Sequence, residues 1–246
     1  MNLSFSHILD RLYRSESKMP SDTLYLGDSV AEQIFSFYEN KNSLTINGAV
    51  LLSGQYILLK NSLRKNPQIT NVYLILNPTS LKQSFSNPRT YNNFVKPFFN
   101  FKNINNINPL IFKKLKSKPY SMLSFLSLFK VLPISDIMFN EDGKENLSLF
   151  SDVNFEYFQM IFHLCKNNNV SLSLISTPVS CKNQNLIDGF FNDLSKDEQQ
   201  FMEILNKYKK SIIYLEDFCF IDDLHLTSET LSRKKYLYKS LILNFE

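Results

Sequence analysis

Short apolar runs alternate with longer stretches of helical periodicity along most of this chain. Five of the runs are typical of buried strands, at residues 23–27, 44–46, 72–76, 171–175 and 212–215. Apolar residues in the stretches between them recur at the spacing of one helix face. Neighbouring parallel strands need a crossover connection, which is usually a helix packed on the sheet. The alternation therefore predicts an α/β fold with a five-stranded parallel sheet covered by helices on both faces.

The regular alternation is interrupted once. Residues 82–150 are rich in Asn, Lys, Phe and Pro, and their pattern favours two or three short helices over further strands. A chain of 246 residues fits one domain with a sizeable core. We therefore predict a single domain over residues 1–246, with a helical insertion at about 82–150.

Cysteine spacing and hydropathy exclude several protein classes. The three cysteines, Cys165, Cys181 and Cys219, have neither CxxC nor zinc-site spacing, so we expect reduced, mostly packed thiols. No N-terminal apolar run has signal-peptide length, and no stretch is long and apolar enough to span a bilayer. These features predict a cytoplasmic protein, with contact at a membrane surface as an added option, and imply no metal or redox cofactor.

Charge is segregated along the chain. No acidic residue occurs between Glu39 and Asp136, whereas thirteen Lys and Arg residues lie between those positions. Such segregation indicates an anionic partner or surface. Within the insertion, Lys113, Lys114 and Lys116 are interleaved with aromatic residues, and we predict that they bind substrate as part of a lid. The alternatives are contact with anionic lipid and a solvated face over a small core. No nucleic-acid-binding motif accompanies the charge, so nucleic acid is not an expected partner.

A serine follows the first predicted strand directly. The segment Leu26-Gly27-Asp28-Ser29 ends that strand, and a helix is predicted immediately after it. A hydroxyl at this position lies at the carboxyl end of a parallel sheet, where ligands bind in open α/β folds. Free N–H groups at a helix start can stabilise an oxyanion. The same residues also form an ordinary helix cap, so on this segment alone a nucleophile and a cap both remain open.

A serine nucleophile needs a base that is oriented by a third group. His7 and His163 lie in apolar helical patterns, and we predict structural roles for both. His225 lies in a polar loop before the last helix, three residues after Asp222, which can fold back onto the imidazole. Asp222 and His225 are therefore predicted to complete a triad with the serine. Asp223 is the alternative orienting carboxylate, which the spacing favours less.

Taken together, these residues resemble the SGNH/GDSL family of serine hydrolases and acyltransferases. Four segments resemble the family's blocks in order: Gly27-Asp28-Ser29, Ser53-Gly54, Asn77 and Asp222-x-x-His225. The resemblance covers the chain outside the insertion and implies the family's flavodoxin-like three-layer α/β/α fold with a five-stranded parallel sheet. It also implies an oxyanion hole formed by the N–H groups of Ser29 and Gly54 and the side-chain amide of Asn77.

The chain departs from the family pattern at several positions. The third block is Leu76-Asn77-Pro78-Thr79 rather than Gly-x-Asn-Asp, and a residue before proline is biased toward extended geometry. The direction of the Asn77 amide is therefore open. Gly48 is an alternative to Gly54 in the second block. Val30 replaces the usual leucine of the first block and is expected to pack inward.

The resemblance implies acyl transfer through an acyl-enzyme on Ser29, with His225 as the base. Known substrates of the family include lipids, thioesters and acetylated sugars. Combined with the basic insertion, the resemblance suggests a serine esterase or O-acetyltransferase that acts on an acetylated, anionic bacterial glycan or its precursor. The alternatives are a lipase or lysophospholipase at membrane surfaces, and a non-catalytic protein that binds glycan or lipid on the same scaffold.

Overall fold

The central sheet consists of three parallel strands in the order in which they follow along the chain. The structure is a computed structural model that describes residues 3–36, 40–46, 51–83, 98, 148–222 and 224–243. The strands are β1 (Thr23–Gly27), β2 (Asn71–Leu76) and β3 (Ser171–Ser176), with β2 in the middle. In the register of the sheet, Tyr25 lies beside Tyr73, and Tyr73 lies beside Ser173. The predicted parallel α/β architecture is therefore present.

A second, two-stranded parallel sheet follows the first. It pairs β4 (Val179–Ser180) with β5 (Tyr214–Leu215). Only Thr177 and Pro178 separate β3 from β4, and Pro178 has no N–H to donate to a ladder. Thr177 N still donates to the carbonyl of Leu76 (3.3 Å), but Val179 N donates to Ile213 instead (2.9 Å). The described sheets thus have three and two strands, and the prediction of one five-stranded sheet is not confirmed.

The predicted strand at 44–46 is an extended segment beside β1. Leu44 N donates to Tyr25 O (2.8 Å), and Ile46 N donates to Gly27 O (3.1 Å), as in a parallel ladder. Only a single bridge, between Tyr25 and Ser43, meets the pattern of a strand pair. The prediction located the right segment but assigned it more regularity than it has.

Helices cover both faces of the central sheet. Their bounds are α1 (Leu3–Ser15), α2 (Ser29–Ile34), α3 (Leu52–Lys65), α4 (Pro78–Leu81), α5 (Asp152–Asn167), α6 (Gln184–Asn192), α7 (Lys196–Gln199), α8 (Met202–Lys210) and α9 (Ser228–Leu243), with 3₁₀ turns at Cys181–Asn183 and Asp217–Cys219. Alternate side chains of β2 enter different cores, as the two-residue period of a strand requires. Leu74 packs in the core with α1, α3 and α5, whereas Ile75 packs in the core with α2 and α9.

The predicted insertion falls mostly outside the described residues. Of residues 84–147 only Phe98 is described, so Lys113, Lys114 and Lys116 lie outside as well, and their role stays a prediction. The residues at the two ends of the insertion are hydrogen-bonded to each other. Ser151 N donates to Leu81 O (3.0 Å), and Ser151 Oγ donates to Gln83 O (2.6 Å).

Helix hydropathy and cysteine state complete the description. None of the helices in the described part of the chain combines the length and apolar character that crossing a bilayer requires. All three cysteines are free: Cys165 and Cys219 are buried, and Cys181 is exposed. Burial raises the pKa of the Cys165 thiol to about 12, so this side chain behaves as a packed apolar group.

Candidate active site

The turn from β1 into α2 carries the predicted nucleophile. Gly27 ends the strand where a Cβ would lie 2.4 Å from the carbonyl oxygen of Ile75 and 2.5 Å from Cβ of Ala31, so only glycine fits. Asp28 caps the helix, and its Oδ1 accepts from Val30 N (3.1 Å) and Ala31 N (3.2 Å). Ser29 is the first helical residue and is 5% exposed. The cap and the nucleophile are thus adjacent residues, and the two interpretations are compatible.

Asp28 also joins the ends of two strands. Its second oxygen, Oδ2, accepts from the backbone N–H of Asn77 (2.8 Å) and from the hydroxyl of Ser80 (2.7 Å). The side chain is fully buried, and burial raises its pKa, while these hydrogen bonds act in the opposite direction. The Asp28 carboxylate therefore links the turn that carries the nucleophile to the residues that follow β2.

Ser29, His225 and Asp222 form a hydrogen-bonded chain. Ser29 Oγ lies 2.8 Å from His225 Nε2, although the two residues are 196 positions apart. His225 Nδ1 lies 2.9 Å from Asp222 Oδ2 and 3.0 Å from Oδ1. These distances meet the geometric requirement for a base that takes the serine proton and a carboxylate that orients the base. The structure thus brings together all three residues of the predicted triad.

The loop that carries His225 is closed by its own backbone. Phe220 and Leu226 form an antiparallel bridge, Ile221 N donates to His225 O (2.8 Å), and Asp222 Oδ1 accepts from His225 N (2.8 Å). Burial by itself raises the pKa of Asp222, but the hydrogen bonds from His225 and Leu224 together with the charge of His225 lower it overall. The carboxylate is therefore ionised at neutral pH. Asp223, the alternative orienting residue, lies outside the described residues.

Asn77 stands directly after β2, beside Asp28. Its backbone is extended (φ −70°, ψ 141°), as expected before proline, and its Oδ1 caps α4 by accepting from Thr79 N (3.0 Å). Its Nδ2 donates to Thr177 Oγ1 (3.3 Å) and to Pro178 O (3.5 Å). The side chain is thus a helix cap and a link to the break between β3 and β4. An additional role as oxyanion donor stays a prediction.

Gly54 lies in the first turn of α3, where its N–H donates to Leu51 O (3.0 Å). A Cβ at this position would lie 2.8–3.0 Å from ring atoms of Phe98, which is completely buried. Packing of the Phe98 ring therefore accounts for a glycine here. Gly48, the alternative for the second block, lies outside the described residues, so the role of Gly54 as oxyanion donor stays a prediction with Gly48 as its alternative.

Several residues that support the site had not been predicted. Gln55 Nε2 donates to Gly27 O (2.9 Å), and Asn154 Oδ1 accepts from Leu52 N at the start of α3 (2.9 Å). Gln33 bonds both backbone groups of Leu226, next to His225. Gln33 stands four residues after Ser29 on the same helix face, a spacing that could have signalled it. The sequence carries no comparable signal for Asn154.

The other two histidines lie on helices on the two sides of the chain's insertion, α1 and α5. His7 is half-buried on α1, and His163 is exposed on α5, where its ring contacts Phe162. Within the described ranges, no group of three or more His, Cys, Asp or Glu side chains is arranged to hold a metal ion.

Comparison with known proteins identifies no family for this chain. No protein-family model and no curated protein matches the chain significantly. Among solved structures, a chain from Streptococcus pneumonia described provisionally as a platelet activating factor aligns with a TM-score of 0.44 and 11% sequence identity. The alignment covers 96% of this chain and 91% of the other. A likeness at this level carries no inference about function.

Proposed function

We propose that this chain is a serine esterase or O-acyltransferase of the SGNH/GDSL type. The observation that carries the proposal is the hydrogen-bonded chain from Ser29 through His225 to Asp222. The serine lies at the carboxyl end of β1, a strand of the parallel central sheet, and at the start of a helix. An ordinary helix cap needs no imidazole at its serine, and an isolated Asp-x-x-His loop needs no partner 196 residues away.

In the proposed reaction, His225 Nε2 takes the proton of Ser29 as Oγ bonds to the ester carbonyl carbon. His225 then gives that proton to the leaving alcohol as the ester C–O bond breaks. Water or a sugar hydroxyl next loses its proton to His225 and attacks the acyl-enzyme, which releases Ser29 with its proton restored. Ionised Asp222 orients the imidazole and stabilises its protonated form.

The negative oxygen of each tetrahedral intermediate requires nearby donors. The N–H of Ser29 is one candidate, because the Asp28 cap accepts from Val30 and Ala31 and leaves this group aside. The amide of Asn77 is a second candidate, since the Asp28 carboxylate holds the Asn77 backbone beside the nucleophile turn. The N–H of Gly54, which in the structure donates to Leu51 O, is a third candidate.

The family fold provides a place for both described sheets. In this proposal the segment at 44–46, then β1, β2, β3 with β4 as its continuation, and β5 correspond to the five positions of its parallel sheet. The hydrogen bonds from Leu44 and Ile46 to β1 support the first position. The pairing of β4 with β5 supports the last.

For the substrate, we propose an acetyl ester on an anionic glycan or its precursor. The support is the run of thirteen basic residues without an acidic one between Glu39 and Asp136. A lipase is the second candidate, favoured by two exposed apolar side chains on the loop that carries Asp222 and on the turn just before it. Phe218 is 80% exposed and Ile221 is 69% exposed.

Hydrolysis of p-nitrophenyl acetate, butyrate and longer esters, together with labelling by a fluorophosphonate, tests the proposal. We expect labelling of wild-type protein that is lost in Ser29→Ala and a preference for acetate. A preference for long chains would favour the lipase. An inert wild-type protein that neither turns over an ester nor labels at Ser29 would contradict catalysis altogether.

A further inference from the structure

We propose that Gln33 is a positioning residue that holds His225 against Ser29, an inference that rests on the proposed function. The Gln33 side chain makes two hydrogen bonds to the residue that follows His225. Its Nε2 donates to Leu226 O (3.2 Å), and its Oε1 accepts from Leu226 N (3.0 Å). The amide thereby pairs with both backbone groups of Leu226, as a neighbouring strand would.

The helix and the loop each contribute two neighbouring residues to this contact. Ser29 and Gln33 are four residues apart on α2, so they project from the same face of the helix. His225 and Leu226 are consecutive on the loop. Helix and loop are therefore joined at two adjacent points, the Ser29–His225 bond and the Gln33–Leu226 pair.

The loop needs such a link because, among the described residues, its other hydrogen bonds lie within it or reach only the residues that flank it, as those from Thr230 N and Leu231 N to Thr227 do. The bond from Ile221 to His225, the bond from Thr227 to Cys219 and the contact of Asp222 with His225 all lie within residues 219–227. In the described part of the chain, the hydrogen bonds between this loop and α2 are those of Ser29 and Gln33. Leu226 also lies in the apolar core that contains Ile34, but apolar contacts are non-directional and do not fix the orientation of the loop.

Angular definition matters at this position. Reacting groups must be held within a few tenths of an ångström, and a displacement of about 1 Å can cost about 10²-fold in rate. His225 is 30% exposed and Asp222 is 56% exposed, so surrounding atoms confine the pair only in part. Two bonds from a half-buried amide on the nucleophile's own helix supply that restraint.

The inference predicts that the two halves of the triad respond differently when Gln33 is changed. The bond between Asp222 and His225 spans three residues and survives without Gln33, whereas the bond between His225 and Ser29 depends on docking of the loop. Gln33→Met keeps side-chain length and removes both hydrogen bonds. Gln33→Glu keeps the acceptor for Leu226 N and loses the donor to Leu226 O.

The experiment compares the rate of Ser29 labelling by a fluorophosphonate, steady-state hydrolysis of p-nitrophenyl acetate, and the downfield NMR resonance of the His225 Nδ1 proton. For Gln33→Met we expect labelling and kcat to fall by about 10–100-fold, with KM nearly unchanged. The Nδ1 resonance and the Tm should be retained. Gln33→Glu should lie between this variant and wild type.

Gln68→Met is the matched control, because Gln68 Nε2 also donates to a backbone carbonyl, that of Met19 (2.9 Å), away from the triad. We expect wild-type labelling for it. Equal labelling of wild type and Gln33→Met overturns the inference and leaves the proposed function intact. Loss of the Nδ1 resonance together with a lowered Tm also overturns it, since Gln33 would then act only on folding. An inert wild-type protein overturns the proposed function itself.

Discussion

The carboxylate of Asp28 accepts a hydrogen bond of 2.8 Å from the backbone N–H of Asn77, which follows the neighbouring strand. The residue before the nucleophile is thereby fastened to the residue predicted to hold the oxyanion. Asp28 also bonds Ser80, whose carbonyl accepts from Asn154 Nδ2 (3.1 Å). Asn154 in turn accepts from Leu52 N. One buried polar network therefore connects the nucleophile turn, α4 and the start of α3.

The buried carboxylate of Asp28 makes stability depend on pH. Burial raises its pKa above the ordinary value of 3.8, so the folded chain binds this proton more tightly than the unfolded chain. That contribution is present at low pH and is lost as pH rises from 3.8 through the raised pKa. The free energy of unfolding of wild type minus that of Asp28→Asn should therefore decrease over this window and then level off. Urea unfolding at a series of pH values measures it, and a difference that grows with pH would refute the assignment.

Gly54→Ala should destabilise the protein because the new Cβ would lie 2.8 Å from the Phe98 ring. We expect a loss of about 1–3 kcal/mol, as for other overpacked cores. The double variant Gly54→Ala/Phe98→Leu should recover part of this loss, since a smaller side chain gives the methyl group room. Chemical denaturation of the four proteins of this double-mutant cycle provides the coupling energy.

Gly189→Ala is the control for that cycle, because a Cβ at Gly189 meets nothing within 4 Å and the residue lies inside α6. It should be neutral or stabilising by about 0.5–1 kcal/mol. If Gly54→Ala unfolds with the same free energy as Gly189→Ala, Phe98 is not the reason for the glycine. If it keeps full stability and loses ester hydrolysis, the added methyl group obstructs the active site.

Asn77 combines a helix cap with a predicted oxyanion donor, and two substitutions separate these roles. Asn77→Ser keeps an oxygen that can cap α4 but removes the amide donor. Asn77→Ala removes both. Loss of the cap should lower the free energy of unfolding by about 0.5–2 kcal/mol, typically ~1 kcal/mol, relative to Asn77→Ser. Both should lower kcat for p-nitrophenyl acetate by about 10²–10³-fold. Wild-type kcat in Asn77→Ser would show that another donor holds the oxyanion.

Asp222→Asn should reduce kcat by about 10²–10⁴-fold, because an amide no longer orients His225 Nδ1–H or stabilises the protonated imidazole. Since the pKa of Asp222 is lowered, this difference from wild type should persist throughout the neutral pH range. Asp217→Asn is the matched control. Asp217 is an exposed residue close to the same loop, and its carboxylate accepts a hydrogen bond from the Ser180 hydroxyl. Its variant should hydrolyse p-nitrophenyl acetate at the wild-type rate. Equal losses in the two variants would mean that charge alone matters.

Features encoded in neighbouring residues were predictable from the sequence. Apolar runs located β1, β2 and β3, because a strand that is buried on both faces appears in the sequence as a short run of consecutive apolar residues. The Asp-x-x-His spacing located the contact of Asp222 with His225, since three residues of loop bring the two side chains together. The step from a strand into a helix placed Ser29, because a parallel strand exposes its carboxyl end there.

Tertiary structure alone decided the contacts between distant segments. The pairing of Gln33 with Leu226 joins residues 193 positions apart, and the packing of Phe98 on Gly54 likewise joins residues from different segments of the chain. The division of the strands into two sheets depends on which strand the chain pairs with after Pro178, where β4 pairs with β5. Sequence periodicity reports which face of an element is apolar, but not which element covers it. Only the folded chain selects that partner, because the selection is made by the summed packing and hydrogen bonding of the whole core.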